Sequence, residues 1–513
     1  MNAFAQAMQW FADPTFLICM AVGMLLGLLV GFFPGVTMTM AVALASGFTL
    51  TLEPAQGLAV MLCIYVGGQY GDRIPAILVN TPGTPASIAT TLDGYPMAKN
   101  GQAGLALVIS GLVTTGGILA SMLLFVLIAQ PIAGFALKFG PAEMFALVLF
   151  GLTIIISISA QSLLKGVLAG VFGLLLAVIG RDPITGVARF TFGSDELSSG
   201  VQFIAVIIGL FGIAEVLDQI LTHREQKTKA VQGLGRWWPN KSELRESVKP
   251  ALIGTGVGLG VGIVPAAGGD IAGLIGWDRA RAAAGKLRAK FGTGYVGGVA
   301  ASDAASSATL GGALTTTLAL GIPGDSVMAV MIGSMIIWGL QPGPSLFSNH
   351  PDIVILIAAI MITATIILGA VSLARTKGMT MLLDIKPQYL WTIILVFCMV
   401  GTYTTTNSVM TVVQMLIFGV IGLALKRSGI PAGPVVLGLL LGPIAEGNLR
   451  RALVIGGPGA LVSSWISIAF LLLTLFILLR STVFRPKRSL EESVLEEVQQ
   501  DLASARPDDT KES

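Results

Sequence analysis

Asp303 stands in Ala300-Ala301-Ser302-Asp303-Ala304-Ala305-Ser306-Ser307, a run of small residues with no other charge. A carboxylate at mid-bilayer costs roughly 2.5–3.5 kcal/mol on insertion scales, and an acid kept there is functional by default. Its oxygens, with the Ser306 and Ser307 hydroxyls, form the donor set of a coupling-ion site, for Na+ or for a proton. An acid simply hydrogen-bonded to a neighbouring helix is the structural alternative. Asp270 and Asp325 are further acids in apolar surroundings. Asp72-Arg73 forms the first charge pair, with Arg73 either meeting a substrate directly or closing an interfacial ion pair. Glu53, Glu143 and Asp93 sit beside Pro or Gly and read as structural.

A second chemistry lies in two Pro-Gly interruptions. Asn80-Thr81-Pro82-Gly83-Thr84-Pro85-Ala86-Ser87 and Gly321-Ile322-Pro323-Gly324-Asp325-Ser326 both lie inside long apolar surroundings. Pro lacks a backbone donor and Gly permits positive φ, so no helix passes smoothly through either. In hydrocarbon, broken backbone survives only when buried in protein or lining a wet cavity. N–H groups freed at a helix start hold anions, helped by the positive end of the helix dipole. The expected substrate-binding residues are Asn80, Thr81, Pro82, Gly83, Thr84, Pro85 and Ser87 with Pro323, Gly324, Asp325 and Ser326. Thr90 and Thr91 supply further hydroxyls. Ordinary breaks with locally satisfied hydroxyls would look similar singly. A pair, one in each half, points to the binding site of a secondary transporter.

The elements that position these residues are membrane helices. The 513 residues are 54% hydrophobic and 12% charged, with mean hydropathy +0.83, whereas a soluble domain is about a quarter charged. The expected fold is an all-α polytopic integral membrane protein of about 10–14 membrane helices, some broken or re-entrant. Net charge is +3 with basic residues confined to loops, so nucleic acid is not an expected partner. Cys19, Cys63 and Cys398 show no metal spacing and read as small hydrophobes. His223 and His350 both fall in loops. The Gly254–Gly262 run lacks the Gly-Lys-Ser/Thr ending of a P-loop, and no catalytic triad can be assembled, so no enzyme is expected. The first apolar run has no basic leader and reads as a retained span.

Residues 1–221 form a first membrane repeat, 222–249 a basic cytoplasmic loop, 250–480 a second repeat with an extra helix, and 481–513 a cytoplasmic tail. Gly27, Gly31 and Pro34 recur as Gly258, Gly262 and Pro265. Tyr65-Val66-Gly67-Gly68 recurs as Tyr295-Val296-Gly297-Gly298, and Pro82-Gly83 as Pro323-Gly324. The loop carries His223, Arg224, Lys227, Lys229, Arg236, Lys241, Arg245 and Lys249, which the positive-inside rule places in the cytoplasm. Met1–Pro14 has no Lys or Arg, so the two repeats start on opposite faces and are inverted. A basic cluster at Arg279–Lys290 makes 250–278 a hairpin. Asp93-Gly94-Tyr95-Pro96 reads as a turn, Arg181–Gly200 as a polar loop, and Leu490–Leu502 as solvated tail or a short amphipathic helix.

Tyr70-Gly71, Ile74 to Leu78, Asn80 to Ser87, Asp93 to Ala98, Leu320 to Gly324 and Gln341-Pro342-Gly343-Pro344 resemble the large membrane subunit of the tripartite tricarboxylate transporters over roughly residues 15–480. The resemblance implies a small four-helix membrane subunit and a periplasmic solute-binding protein as partners. It also implies ion-gradient-driven uptake of di- or tricarboxylates across the bacterial inner membrane, by alternating access. Where that family usually has Glu-Ala-Ala-Asn-Asn-Ala, this chain has Asp303-Ala304-Ala305-Ser306-Ser307-Ala308, keeping the acid and replacing both amides by hydroxyls. A passive small-anion channel and a membrane scaffold without transport are the competing readings. Uptake against a gradient separates them.

Overall fold

Asp13 starts the first long helix, its carboxylate accepting from the N–H groups of Thr15 and Phe16 at 3.0 and 3.3 Å. A computed structural model describes residues 3–33, 36–159, 163–182, 185–222, 233–265, 268–374 and 387–483. In chain order the main helices begin with α1 (Pro14–Phe32), α2 (Met38–Thr49), α3 (Pro54–Gly71), α4 (Arg73–Val79), α5 (Ile88–Lys99) and α6 (Ala103–Ala136). Then come α7 (Pro141–Ser159), α8 (Leu163–Val178) and α9 (Phe203–Thr222), the last π-helical over Ile208–Ile213. The second half holds α10 (Lys241–Gly262), α11 (Gly268–Ala282), α12 (Val296–Ser307), α13 (Leu310–Thr315), α14 (Ser326–Ile337) and α15 (Pro351–Leu373). Four more helices follow: α16 (Pro387–Thr406), α17 (Val409–Arg427), α18 (Gly433–Gly456) and α19 (Trp465–Val483).

Glycine sets how the central helices meet. Gly23, Gly27 and Gly31 of α1 lie on α3, where an added Cβ would fall 2.4 Å from Val60 O, 2.4 Å from Ile64 O and 2.9 Å from Gly68 O. Gly254, Gly258 and Gly262 of α10 lie likewise on α12 and its extension, 2.2 Å from Ala301 O, 2.2 Å from Ala305 O and 2.6 Å from Thr309 O. In lipid no hydrophobic effect draws helices together, so backbone-to-backbone packing through small residues supplies the contact. Both pairs run parallel.

The chain is an all-α polytopic membrane protein. Among the described residues, five helices are apolar and long enough to cross a bilayer: α1, α6, α9, α15 and α17. Outward faces carry Leu17, Ile18, Leu25, Leu123, Leu127, Leu168 and Leu175, all exposed, which suits lipid rather than water. Cys19, Cys63 and Cys398 are buried among hydrophobes.

Lys249 Nζ donates to Ala283 O at 3.2 Å, so α10 and α11 go in and return as the expected hairpin. One sequence expectation fails. Asp93-Gly94-Tyr95-Pro96 is not a turn but lies within α5, because Asp93 is drawn into the core by four donors and Gly94 packs on Ile77. The loop after α8 contains a short antiparallel pair, Gly180 opposite Arg189 and Arg181 opposite Ala188. An ion-pair network of Asp182, Arg189, Glu446 and Arg450 ties it to α18. His223, Arg224, Lys227 and Lys229 of the basic loop, and the Leu490–Leu502 tail segment, lie outside the described residues.

Candidate functional site

A cavity of about 290 Å³ lies where four helices begin. Thr37 caps α2, its Oγ1 accepting from Met40 N–H at 3.2 Å. Asp325 caps α14, its Oδ1 accepting from Met328 N–H at 2.8 Å. Thr84 precedes the turn Pro85–Ser87 that leads into α5, and α11 starts at Gly268, whose φ of +56 a side chain would strain. Thr37, Thr84, Gly268, Gly269 and Asp325 all line the cavity. Four positive helix ends therefore face one space, an arrangement that favours an anion. Among the lining residues there is no Lys, Arg or His.

Both halves of the chain build the walls. Tyr65 Oη of α3 donates to Asp325 Oδ2, and Thr39 Oγ1 meets Ser326 Oγ at 2.8 Å. Asp270 adds a second acid. Phe211, from the π-helical turn of α9, and Val436 and Leu437 of α18 close the apolar side.

Behind the cavity lies a charged cluster with no solvent exposure. Arg73 NH1 donates to Asp72 Oδ1 at 2.6 Å, and its NH2 donates to Ser306 Oγ at 2.6 Å and Ser307 Oγ at 3.2 Å. Asp303 Oδ1 lies 3.7 Å from Arg73 Nε. Asp303 also accepts from the hydroxyls of Thr90, Ser110 and Ser302. Two residues belong to both places. Gln69 lines the cavity while its Oε1 accepts from Arg73 NH2 at 3.4 Å, and Thr84 lines it while its Oγ1 donates to Asp72 Oδ2.

The family comparison bears on this arrangement. A profile of the tripartite tricarboxylate transporter TctA family matches residues 17–437. The chain belongs to that family. Its membership covers both Pro-Gly interruptions and the buried cluster. An uncharacterized 52.8 kDa protein of the TAR-I ttuC' 3' region of Agrobacterium vitis is 35% identical over 451 residues, 88% of this chain and 89% of the relative. A second Agrobacterium vitis protein, of the TAR-II ttuC' 3' region, is 33% identical over 177 residues, 34% of this chain and 73% of that relative. No solved structure matches.

Of the residues expected to bind substrate, Thr84, Pro85, Pro323, Asp325 and Ser326 line the cavity. The remaining six do not line it. Asn80 is the left-handed C-cap of α4. Thr81 Oγ1 donates back to Val79 O, and Ser87 Oγ to Thr84 O. Pro82 is half-buried in the interruption itself. Gly83 packs against Gly31 and Asp72, and Gly324 against Ala313, leaving no room for a side chain at either. Asp303, Ser306 and Ser307 converge, but on Arg73 rather than on the cavity. Asp72 and Arg73 do form an ion pair, and both side chains are wholly buried.

Sequence reasoning missed Thr37, Thr39, Tyr65, Gln69 and Gly268. For Thr37 and Gly268 the sequence held a signal, since each follows a Pro-containing break, Phe33-Pro34-Gly35 and Pro265.

Proposed function

We propose that this chain is the large transmembrane subunit of a three-part secondary importer of di- or tricarboxylates. It works in the bacterial inner membrane by alternating access on a Na+ or H+ gradient. The small four-helix membrane subunit and the periplasmic solute-binding protein are its partners. One observation carries the reading: capping residues from both halves, Thr37, Thr84 and Asp325, share a cavity at four helix starts with no basic side chain among its described lining residues, and helix starts suit an anion. A site without a fixed cation grips a carboxylate and also releases it. Two walls of acid, Asp270 and Asp325, make a passing anion dependent on an accompanying positive charge.

The matching glycine stripes of α1 on α3 and α10 on α12 support an internal duplication. Lys249, Arg279 and Arg281 mark the face from which the second copy enters, whereas the first enters from a terminus without basic residues. An inverted pair of repeats is the simplest origin of two interruptions meeting at one depth.

The test is uptake of labelled citrate, tartrate and malate into proteoliposomes holding all three components. Accumulation above the external concentration is expected under an imposed ion gradient. Uptake that stops at equilibrium would make the chain a channel, and no uptake of any acid would make it a scaffold. Thr84→Val, which removes one cavity hydroxyl, is expected to lower the uptake rate at least tenfold while leaving the amount of inserted protein unchanged.

A further inference from the structure

The buried cluster contains two carboxylates and one guanidinium, all at zero exposure. With every group ionised it carries one surplus negative charge, an arrangement a low-dielectric interior disfavours unless another positive charge joins it. Resting on the importer reading, we propose that this positive charge is a proton taken up on Asp72, while Asp303 stays as the carboxylate that balances Arg73, and that this proton is the coupling ion.

The geometry argues against a metal cation in the same place. The oxygens that would ligate Na+ are already engaged. Ser306 Oγ accepts from Arg73 NH2 and donates to Ser302 O at 3.1 Å, and Ser307 Oγ accepts from the same nitrogen. A metal ion beside Asp303 would sit against a guanidinium, whose like charge repels it strongly in a dry interior. A proton needs no coordination shell. Asp303 is ringed by the hydroxyls of Thr90, Ser110 and Ser302, which donate to it as a carboxylate. Arg73 Nε, buried and without a hydrogen-bond partner, faces Asp303 from 3.7 Å, so the pairing there is loose.

The route to the cavity is Thr84. A proton arriving from cavity water binds Thr84 Oγ1, whose own proton passes to Asp72 Oδ2. The cluster goes from one negative charge to neutral, and Arg73 stays protonated throughout. Other groups facing the pair are few. Tyr70 Oη of α3 donates to Leu107 O at 3.3 Å. Asp93 of α5 is held by Trp277 and three backbone N–H groups. α6 presents Ser110, and α11 carries Asp270 at the cavity wall.

The experiment uses the full three-component transporter in proteoliposomes with labelled citrate, tartrate and malate. Wild type is expected to accumulate substrate under a pH gradient equally well in Na+ and in K+. Asp303→Asn and Asp72→Asn are each expected to lose accumulation driven by the pH gradient at least tenfold while inserting in wild-type amounts and melting like wild type, and undiminished accumulation by both would overturn the assignment. Absent exchange in wild type would count against the importer reading instead. A second measurement needs no substrate: melting of the purified full chain in detergent, expected to be equal in NaCl and KCl. Accumulation that requires Na+, or a Na+-specific rise in melting temperature that Asp303→Asn abolishes, would overturn the assignment.

Discussion

Asp93 shows what one carboxylate can organise. It accepts from Trp277 Nε1 at 2.8 Å and from the N–H groups of Gly292, Gly294 and Tyr295 at 2.8, 3.1 and 2.8 Å. One side chain of α5 thus fixes the loop that launches α12, and α12 carries Asp303. Asp93→Ala leaves those donors buried and unanswered, and is expected to destabilise the protein by about 3 kcal/mol, read as a lower melting temperature in detergent. Asp93→Asn, which keeps one accepting oxygen, is expected to fall between. The acid beside a glycine was legible as structural, but its helical setting was not. Its donors lie some two hundred positions away in the chain, beyond the reach of any local pattern. Arg73 was likewise visible as a charge, while its burial depends on Ser306 and Ser307 arriving from the other half.

At the scale of elements, close glycine contacts set the positions of the interruptions. Gly258 meets Ala305 O and the Ala308 side chain, so a branched residue there must push α10 off α12. Gly258→Val is expected to cost about 1–3 kcal/mol and to displace the α11 start from the cavity. Gly256→Val, on the open side of the same helix, is the control and is expected to melt like wild type. Helices and their order were readable from apolar runs, and the Pro-Gly tips from their breakers. Which of those breaker residues reach the cavity was not. Asn80 and Thr84 belong to one tip, yet the first caps α4 and only the second turns inward, a difference set by backbone dihedrals rather than residue type.

For the whole molecule, one face gathers Gly104, Leu234, Trp237, Lys249, Ala283 and Leu373 through hydrogen bonds. We propose, from the positive-inside rule, that this face is cytoplasmic. Phe192, 89% exposed, lies in the segment between α8 and α9, and α9 is long and apolar enough to separate it from the basic loop that follows. Phe192→Cys is expected to react with an impermeant maleimide in intact cells, and Trp238→Cys only after permeabilisation. The three native cysteines are buried and give little background. Equal labelling of both sites from outside would reverse the assigned orientation.

The cavity wall is not drawn from one packing group. Thr39, Thr84, Asp270 and Asp325 come from α2, the segment before α5, α11 and the start of α14, but Val436 and Leu437 come from α18, which packs mainly on α7 and α8. Anything lodged there is gripped by two neighbours with separate loyalties, like a shim driven into a joint. Occupancy should therefore be felt as stiffness: amide hydrogens along α18 exchange more slowly when a carboxylate is present, at a distance from every charge that attracted it.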